Sequence, residues 1–241
     1  MKSIMAQLRN TIQEKCLIQA GDRIAVGLSG GKDSMALLHA LKAFQNYNII
    51  PFELCAISIN PGFEGFRSEE MQDYCDALGI PFYEEKTQIY QIVFETRQEK
   101  NPCSLCAKMR RGALTDVMNR HSYNKLALGH HNDDAVATLF MNMFNTGRMK
   151  TMEFSTLLEK SQVTVIRPLL EVTEHQVIGY VNKHDIPVIK SECPVDKQTN
   201  REQMGDLMKH IYKSIPGSRA SINRAMKNKE HLSLWFDEEV K

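Results

Sequence analysis

The sequence lacks any apolar run near the ~20 residues that a membrane-spanning helix requires, so we expect no membrane segment. Its start, MKSIMAQLRNTIQEKC, lacks the apolar core and the cleavage site of a secretion signal, which favours a cytoplasmic protein. It also lacks a basic surplus, because 30 Lys and Arg residues face 29 Asp and Glu residues. Contact with a nucleic acid would therefore require local basic patches. With 42% hydrophobic and 24% charged residues among 241, the composition is that of a globular protein and excludes a disordered chain, a collagen-like repeat and a disulfide miniprotein.

Short apolar runs alternate with amphipathic helical patterns along most of the chain. We predict strands at 23–28, 53–59, 81–85, 125–129 and 163–167, with helices between them. This alternation predicts an α/β fold with a Rossmann-like parallel sheet and helices on both faces. We divide the chain into an N-terminal helix over 1–20, an α/β domain over 21–190, and a loop with a short basic helical tail over 191–241. Within that tail, 197–229 holds eight Lys and Arg residues against two Asp and Glu residues.

The most specific motif, GLSGGKDS at 27–34, joins the first predicted strand to a predicted helix. Its glycines permit a tight turn and close approach of the backbone to an anion, and its lysine adds a charge. It is not the common P-loop, because three residues instead of four separate Gly27 from Gly31, and Asp33 follows Lys32. The stretch from Ser29 to Ser34 resembles the SGGKDS loop of the PP-loop ATP pyrophosphatases. That resemblance implies cleavage of ATP between its α and β phosphates.

Six cysteines are present, and in a cytoplasmic protein they should be reduced. Cys16, Cys55 and Cys75 lie in apolar patterns, and we expect them to be small buried hydrophobic residues. Cys103 and Cys106 form a C-x-x-C at a predicted helix start, where the helix N-terminus favours the thiolate. This spacing alone is ambiguous between zinc, a redox pair and an iron–sulfur site. There is no second C-x-x-C, and Cys193 is the other loop cysteine.

A third motif, LGHHNDD at 128–134, again lies between a strand and a helix. Paired carboxylates beside a triphosphate hold Mg²⁺ together with phosphate oxygens, whereas Asn132 or Asp133 could cap the helix. We expect both roles, with Asp133 on the capping side and Asp134 facing inward. The two histidines could ligate a metal, but such a pair more often positions a backbone turn.

Together the motifs resemble the TtcA family, the tRNA 2-thiocytidine synthetases. The matching stretches are GLSGGKDS (27–34), CSLCAKMRRGAL (103–114), ALGHHNDDAVATLFMNMFNTG (127–147) and VIRPL (165–169). The resemblance implies a PP-loop ATP pyrophosphatase domain of the adenine nucleotide alpha hydrolase-like type over 21–190. It implies ATP, Mg²⁺ and a [4Fe–4S] cluster as cofactors. Three cysteines would hold the cluster and leave one iron open for sulfide. The enzyme would adenylate the C2 oxygen of an anticodon-loop cytidine and replace it with this sulfur, because AMP is a better leaving group than an amide-like oxygen.

The motifs and the resemblance together assign roles to individual residues. The expected ATP and pyrophosphate contacts are Ser29, Gly30, Gly31, Lys32, Asp33, Ser34, Gly129 and His130. The expected catalytic residues are Lys32, Asp33, Asp134 and Arg167, where Arg167 at a strand end would neutralise the α-phosphate and Asp33 and Asp134 would hold Mg²⁺. The expected cluster ligands are Cys103, Cys106 and Cys193. The expected tRNA contacts are Lys108, Arg110, Arg111, Lys209, Lys213, Arg219 and Arg224, although such charge runs often form only a solvated helix face.

Several alternatives stay open at this point. A lysidine-forming relative would need no cluster, so the C-x-x-C counts against it. A 2-thiouridine synthetase would use similar chemistry on uridine. A sensor module that binds ATP and a metal without turnover is the non-enzyme alternative, and the complete SGGKDS and HHNDD motifs argue against it. Expected partners are tRNA and a sulfur donor, either a cysteine desulfurase or a sulfide source, and a homodimer is compatible with the sequence.

Overall fold

The structure is a computed structural model that describes residues 3–97, 102–189, 200–228, 230 and 234. Its helices are α1 (Ile4–Glu14), α2 (Lys32–Asn46), α3 (Glu69–Leu78), α4 (Pro102–Arg120), α5 (Asn132–Thr146), α6 (Glu174–Lys183), α7 (Asn200–Ser214) and α8 (Ser218–Lys227). Its strands are β1 (Arg23–Gly27), β2 (Glu53–Asn60), β3 (Phe82–Lys86), β4 (Lys125–Ala127), β5 (Ser155–Leu158) and β6 (Val163–Ile166). A π-helical turn, Gln91–Thr96, precedes α4.

The six strands form one sheet in the order β3-β2-β1-β4-β6-β5. All neighbours pair in parallel except β5, which pairs antiparallel with β6. The predicted α/β fold with a sheet flanked by helices is confirmed, and each of the five predicted strands is present with ends that shift by at most two residues. The prediction missed β5. This short edge strand has alternately exposed residues, so its sequence contains no continuous apolar run.

The strand order shows at which edge of the sheet the two motifs lie. From β1 the chain proceeds outward through β2 and β3, then returns to the other side of β1 with β4. The order therefore reverses between β1 and β4, and ligands of open α/β sheets bind beyond the carboxyl ends of the strands at such a reversal. The GLSGGKDS and LGHHNDD motifs follow these two strands, so both lie at this edge.

Two apolar clusters cover the faces of the sheet. The larger contains the inner faces of α2 and α6 and also Leu8 and Ile12 of α1, which are fully buried. The smaller packs α4 and the π-helical turn against the other face, with Val117 and Met118 buried. Both clusters include residues of strands β1, β2 and β4, so the strands whose ends carry the motifs are buried on both faces.

A buried ion pair ties β1 to β4 at the opposite end of the strands. Lys125 Nζ lies 2.7 Å from Asp22 Oδ2, and the two side chains are only 13% and 8% exposed. Burial alone raises the pKa of Asp22, but Lys125, the backbone N–H of Gln19 and the amide of Asn124 together hold it below its usual value. Among the described residues, no helix combines the length and the apolar character needed to cross a membrane.

Candidate active site at the phosphate loop

The loop between β1 and α2, residues 28–31, turns sharply at Gly30. Gly30 has φ +80°, a conformation that residues with a Cβ rarely adopt. Its carbonyl accepts a hydrogen bond from the Ile189 N–H at 2.9 Å, and an added Cβ would lie 3.0 Å from Ile189 Cβ. Gly31 differs, because a Cβ there would meet only Ser29 Oγ, at 3.5 Å. Gly30 is therefore required by the fold of the loop itself.

The hydroxyl of Ser34 holds the loop in shape. It accepts a hydrogen bond from the Ser29 N–H at 3.2 Å and donates one to the Gly31 carbonyl at 3.0 Å. Ser29 Oγ lies 3.1 Å from the same hydroxyl. Because Ser34 is buried and Ser29 is exposed, we assign loop closure to Ser34 and the outward-facing hydroxyl to Ser29.

Lys32, the first residue of α2, is held between two carboxylates. Its Nζ lies 3.0 Å from Asp33 Oδ2 and 3.0 Å from Glu174 Oε1 at the start of α6. Burial lowers the pKa of Lys32, but the two carboxylates outweigh it and the net pKa is raised, so the amine is charged. Burial raises the pKa of Asp33, with His131 and Lys32 acting in the opposite direction. Asp33 Oδ1 is buried without a hydrogen-bond partner among the described residues, which suits a cation.

Gly129 brings the loop after β4 into backbone contact with the loop after β1. A Cβ at Gly129 would lie 2.8 Å from the carbonyl carbon and oxygen of Asp33 and 2.9 Å from the Ser34 N. Only glycine permits this approach. The two motifs that the sequence separates by about a hundred residues thus form one surface.

At the start of α5, Asp134 both lines the cavity beside Asp33, as expected, and takes the capping role that was expected of Asp133. His131 is the N-cap, and Asp134 Oδ2 accepts its backbone N–H at 2.9 Å. Asp133 does not cap α5. Its Oδ2 accepts the Glu174 N–H at 2.8 Å, and its Oδ1 pairs with Arg219 of α8 at 2.7 Å. The expectation of Asp133 as the capping residue is therefore wrong, because a carboxylate at the third helical position reaches back to the N-cap while one at the second points sideways.

A cavity of about 380 Å³ opens beside the phosphate loop. Its polar wall combines Ser29, Asp33, Ser34, Gly129, His130 and Asp134 with Arg110 and Arg111 of α4, and its apolar wall includes Ile57, Ile59, Leu114 and Leu128. The apolar wall suits a nucleobase, and the loop with the start of α2 suits phosphates, since a helix N-terminus attracts anions. The predicted ATP residues Ser29, Asp33, Ser34, Gly129 and His130 thus share one cavity.

The cysteine pair lies at the start of the helix that forms part of this wall. Cys103 and Cys106 are half-buried in the first two turns of α4, one turn before Ala107 and Arg110, which line the cavity. Within the described ranges no group of three His, Cys, Asp or Glu side chains is placed to hold a metal. Cys193 lies outside the described residues.

Two of the other three cysteines agree with the expected burial. Cys55 and Cys75 are buried, and burial raises the pKa of each thiol to about 12. Cys16 is exposed, so the expectation that it is a buried hydrophobic residue is wrong. Cys16 follows the end of α1 in a positive-φ turn, which directs it out of the apolar face of the helix.

Arg167 contacts the hairpin strand rather than the phosphate loop. Its Nη1 donates to the Glu153 carbonyl at 2.8 Å and to Thr156 Oγ1 at 3.2 Å. Arg167 is not among the described residues that line the cavity. Burial and the nearby Arg111 lower the pKa of Arg167. Its Nε is buried and lacks a hydrogen-bond partner among the described residues. Arg167 and Arg111 thus form a cationic region at the margin of the site.

The remaining predicted basic residues lie in different environments. Arg110 and Arg111 line the cavity, and Lys108 is exposed on α4. Lys209 pairs with Asp206 at 3.0 Å, and Arg219 pairs with Asp133. Lys213 and Arg224 are exposed on α7 and α8.

Sequence reasoning missed Glu174, which contacts Lys32. The signal that could have found it is the stretch Thr173–Gln176, a capping box that places Glu174 in the first turn of a helix. A helix that starts after β6 begins at the same sheet edge as the phosphate loop. A second cavity, of about 310 Å³, lies there between Lys32, Glu174 and α7.

Comparisons with known proteins agree with this geometry. The family model described as the PP-loop domain matches residues 1–210. A tRNA-cytidine(32) 2-sulfurtransferase of Pelobacter propionicus is 39% identical over 220 residues, covering 90% of this chain and 82% of that protein. One from Geotalea daltonii is 39% identical over 230 residues, covering 94% and 91%. Among solved structures, the U34-tRNA thiolase NcsA from Methanococcus maripaludis with its [4Fe-4S] cluster matches with a TM-score of 0.77 and 29% identity, covering 96% of this chain and 80% of that one.

Proposed function

Since this chain belongs to the PP-loop domain family and, within it, to the tRNA-cytidine(32) 2-sulfurtransferases, we propose that it thiolates a tRNA cytidine at the expense of ATP. The reaction adenylates the C2 oxygen of the base, releases pyrophosphate, and then replaces the adenylated oxygen with sulfur as AMP leaves. We infer position 32 from the names of the curated relatives.

One observation of the structure carries this proposal. A single cavity is lined by the phosphate loop, by the loop after β4 and by α4 one turn beyond the C-x-x-C. Adenylation takes place at the C2 oxygen and sulfur then attacks the C2 carbon bonded to it, so both centres must be reached from one place. An ATP-binding module without turnover would not require a cysteine pair one helical turn from this wall.

The phosphate loop binds the β and γ phosphates in this proposal. The N–H groups at the start of α2, the Ser29 hydroxyl and Lys32 stabilise the charge that develops on the leaving pyrophosphate. Lys32 is charged and already fixed by Glu174 and Asp33, so little reorganisation is needed when phosphate arrives. Mg²⁺ fits Asp33 and Asp134, because it binds few protein carboxylates and completes its shell with phosphate oxygens and water.

Cys103 and Cys106 fit two positions of a cluster site. They are spaced by three residues on one side of a helix N-terminus, and thiolates are the ligands of iron–sulfur clusters. When bound, a [4Fe–4S] cluster with one open iron would hold the donor's sulfide for transfer to the base. Cys193 as the third ligand remains our proposal from the sequence. The sulfur donor, a cysteine desulfurase or a sulfide source, is part of the same proposal, as is action in the cytoplasm.

The tRNA contacts that we propose are Lys108, Arg110 and Arg111 beside the cavity and Lys213 and Arg224 on the tail. Lys213→Ala and Arg224→Ala should each weaken tRNA binding and reduce the slope of log affinity against log salt by about 0.7–0.9 for each phosphate that is no longer neutralised. Binding measured from about 50 to about 200 mM salt gives that slope. An unchanged slope in both variants would exclude the tail from the tRNA interface.

Nucleoside mass spectrometry of tRNA tests the function directly. Cells that lack this chain should lose 2-thiocytidine, and the wild-type gene should restore it, whereas Lys32→Ala should not. Loss of 2-thiouridine with 2-thiocytidine intact would instead assign the uridine reaction. That second candidate is favoured by the likeness to the U34-tRNA thiolase, although the cytidine enzymes are more similar in sequence, 39% against 29%.

A further inference from the structure

Helix α8 carries three polar side chains on one face, at spacings of four residues. We call Arg219, Asn223 and Lys227 the docking face, because residues four apart lie on the same side of a helix. Each makes a 2.7 Å polar contact with a residue outside the helix, in the α/β domain. The partners, in the same order, are Asp133, Asn132 and Glu171. The helix is thereby attached to the start of α5 and to the segment that leads into α6.

The contact of Arg219 continues toward the phosphate loop. Asp133, its partner, also accepts the backbone N–H of Glu174, at 2.8 Å. Glu174 in turn places a carboxylate oxygen 3.0 Å from Lys32 Nζ. Two residues thus connect the C-terminal helix to the lysine of the loop.

This region is rich in carboxylates. Five carboxylates line the second cavity beside the loop, those of Asp33, Asp133, Asp134, Glu174 and Asp206, against the two amines of Lys32 and Lys209. A triphosphate brings several further negative charges to its margin. The phosphates can bind with high affinity only if the carboxylates nearest the loop are neutralised, since like charges at short range oppose binding.

Arg219 is placed to neutralise one of them. Its guanidinium lies 2.7 Å from Asp133 Oδ1 and 4.3 Å from the centre of the Tyr212 ring of α7. The carboxylate and the aromatic ring together fix the orientation of this planar group, whose side chain is 37% exposed. The geometry therefore differs from that of the exposed Arg224 on the same helix.

We propose that Arg219 is a positioning residue for ATP. It neutralises the charge of Asp133 and so reduces the repulsion that a triphosphate meets at the phosphate loop. Its charge then acts on Asp133 beside the ATP site rather than on a tRNA phosphate. The C-terminal helix serves the nucleotide through Arg219, while its opposite side remains available to RNA. This inference rests on the ATP binding of the proposed function.

The test uses the full chain and ATP alone, measured by calorimetry without tRNA. Arg219→Met retains the stem but removes the charge, and should raise the Kd for ATP about tenfold, as expected for one uncompensated charge near the phosphates. Arg219→Lys should restore most of the affinity. The double variant Arg219→Met with Asp133→Asn should recover it as well, since Asn still offers an acceptor to the Glu174 N–H. Arg9→Met, at an exposed arginine of α1, is the matched control and should bind ATP as the wild type does.

The outcomes separate the inference from its premise. If the wild type does not bind ATP, the proposed function fails. If the wild type binds and Arg219→Met binds equally well, or the charge-neutral double variant stays weak, the inference is overturned. An Arg219→Met variant with unchanged ATP affinity and a smaller salt slope for tRNA would assign Arg219 to the RNA instead. Should Arg219→Met fail to fold, Arg219→Gln, which keeps a hydrogen-bond donor but removes the charge, should raise the Kd for ATP by a similar factor, and an unchanged Kd in that variant would overturn the inference.

Discussion

Replacing Gly129 with alanine should disable the phosphate loop without removing any side chain that binds ATP. The added Cβ would lie 2.8 Å from the Asp33 carbonyl carbon and oxygen and 2.9 Å from the Ser34 N. Favourable carbon contacts lie at about 3.5–4.0 Å, so the two loops must separate by roughly 0.7 Å or more. The atoms in the way belong to the backbone at the start of α2 and cannot rotate aside.

Two quantities should change as a result. Overpacking of this kind costs about 1–3 kcal/mol of unfolding free energy, which urea unfolding measures. A displacement of about 1 Å at a reacting centre can lower the rate about a hundredfold, so tRNA-dependent pyrophosphate release should fall by that order.

The matched control for this prediction is Gly179→Ala. Gly179 lies within α6, where an added Cβ meets nothing within 4 Å. Alanine there should stabilise the protein by about 0.5–1 kcal/mol and leave pyrophosphate release unchanged. A Gly129→Ala variant with wild-type stability and turnover would refute the close contact between the loops as a requirement for activity.

Three further changes test other parts of the structure. Gly30→Ala should abolish pyrophosphate release, because the positive φ and the contact with Ile189 both resist a Cβ; normal release would show that the loop tolerates another shape. Cys106→Ser should remove iron and visible absorption from anaerobically purified protein yet leave ATP binding intact, whereas Cys16→Ser should change neither; stoichiometric zinc without labile sulfide would contradict the cluster. Asp22→Asn should cost about 3 kcal/mol at pH 7 by leaving Lys125 buried without its partner. Because the folded-state pKa of Asp22 is lowered, the stability from its carboxylate is present above the unfolded value of about 3.9 and is lost as pH falls through the folded value, so wild type and variant should converge in acid-unfolding curves.

The sequence alone was sufficient for the fold class and for the position of the phosphate loop. Parallel strands buried on both faces are continuous apolar runs, and 23–28 and 53–59 have that pattern without help from distant residues. Likewise, SGGKDS between a strand and a helix favours a tight turn by itself, because Gly30 adopts a positive φ and Ser34 closes the loop through local hydrogen bonds. The edge strand β5 could not be predicted in this way, since an exposed strand depends on its neighbour rather than on its own hydrophobicity.

Only the tertiary structure decided which charged groups from distant segments meet. Glu174 contacts Lys32 only because β6 and β1 end at the same edge of the sheet, and no local pattern records that pairing. Asp133 and Asp134 are adjacent and chemically identical, yet the helical turn sends one back to the N-cap and the other toward Arg219. Local hydrogen bonds and apolar periodicity are properties of a segment, whereas the partners of a charged side chain are set by how the segments pack.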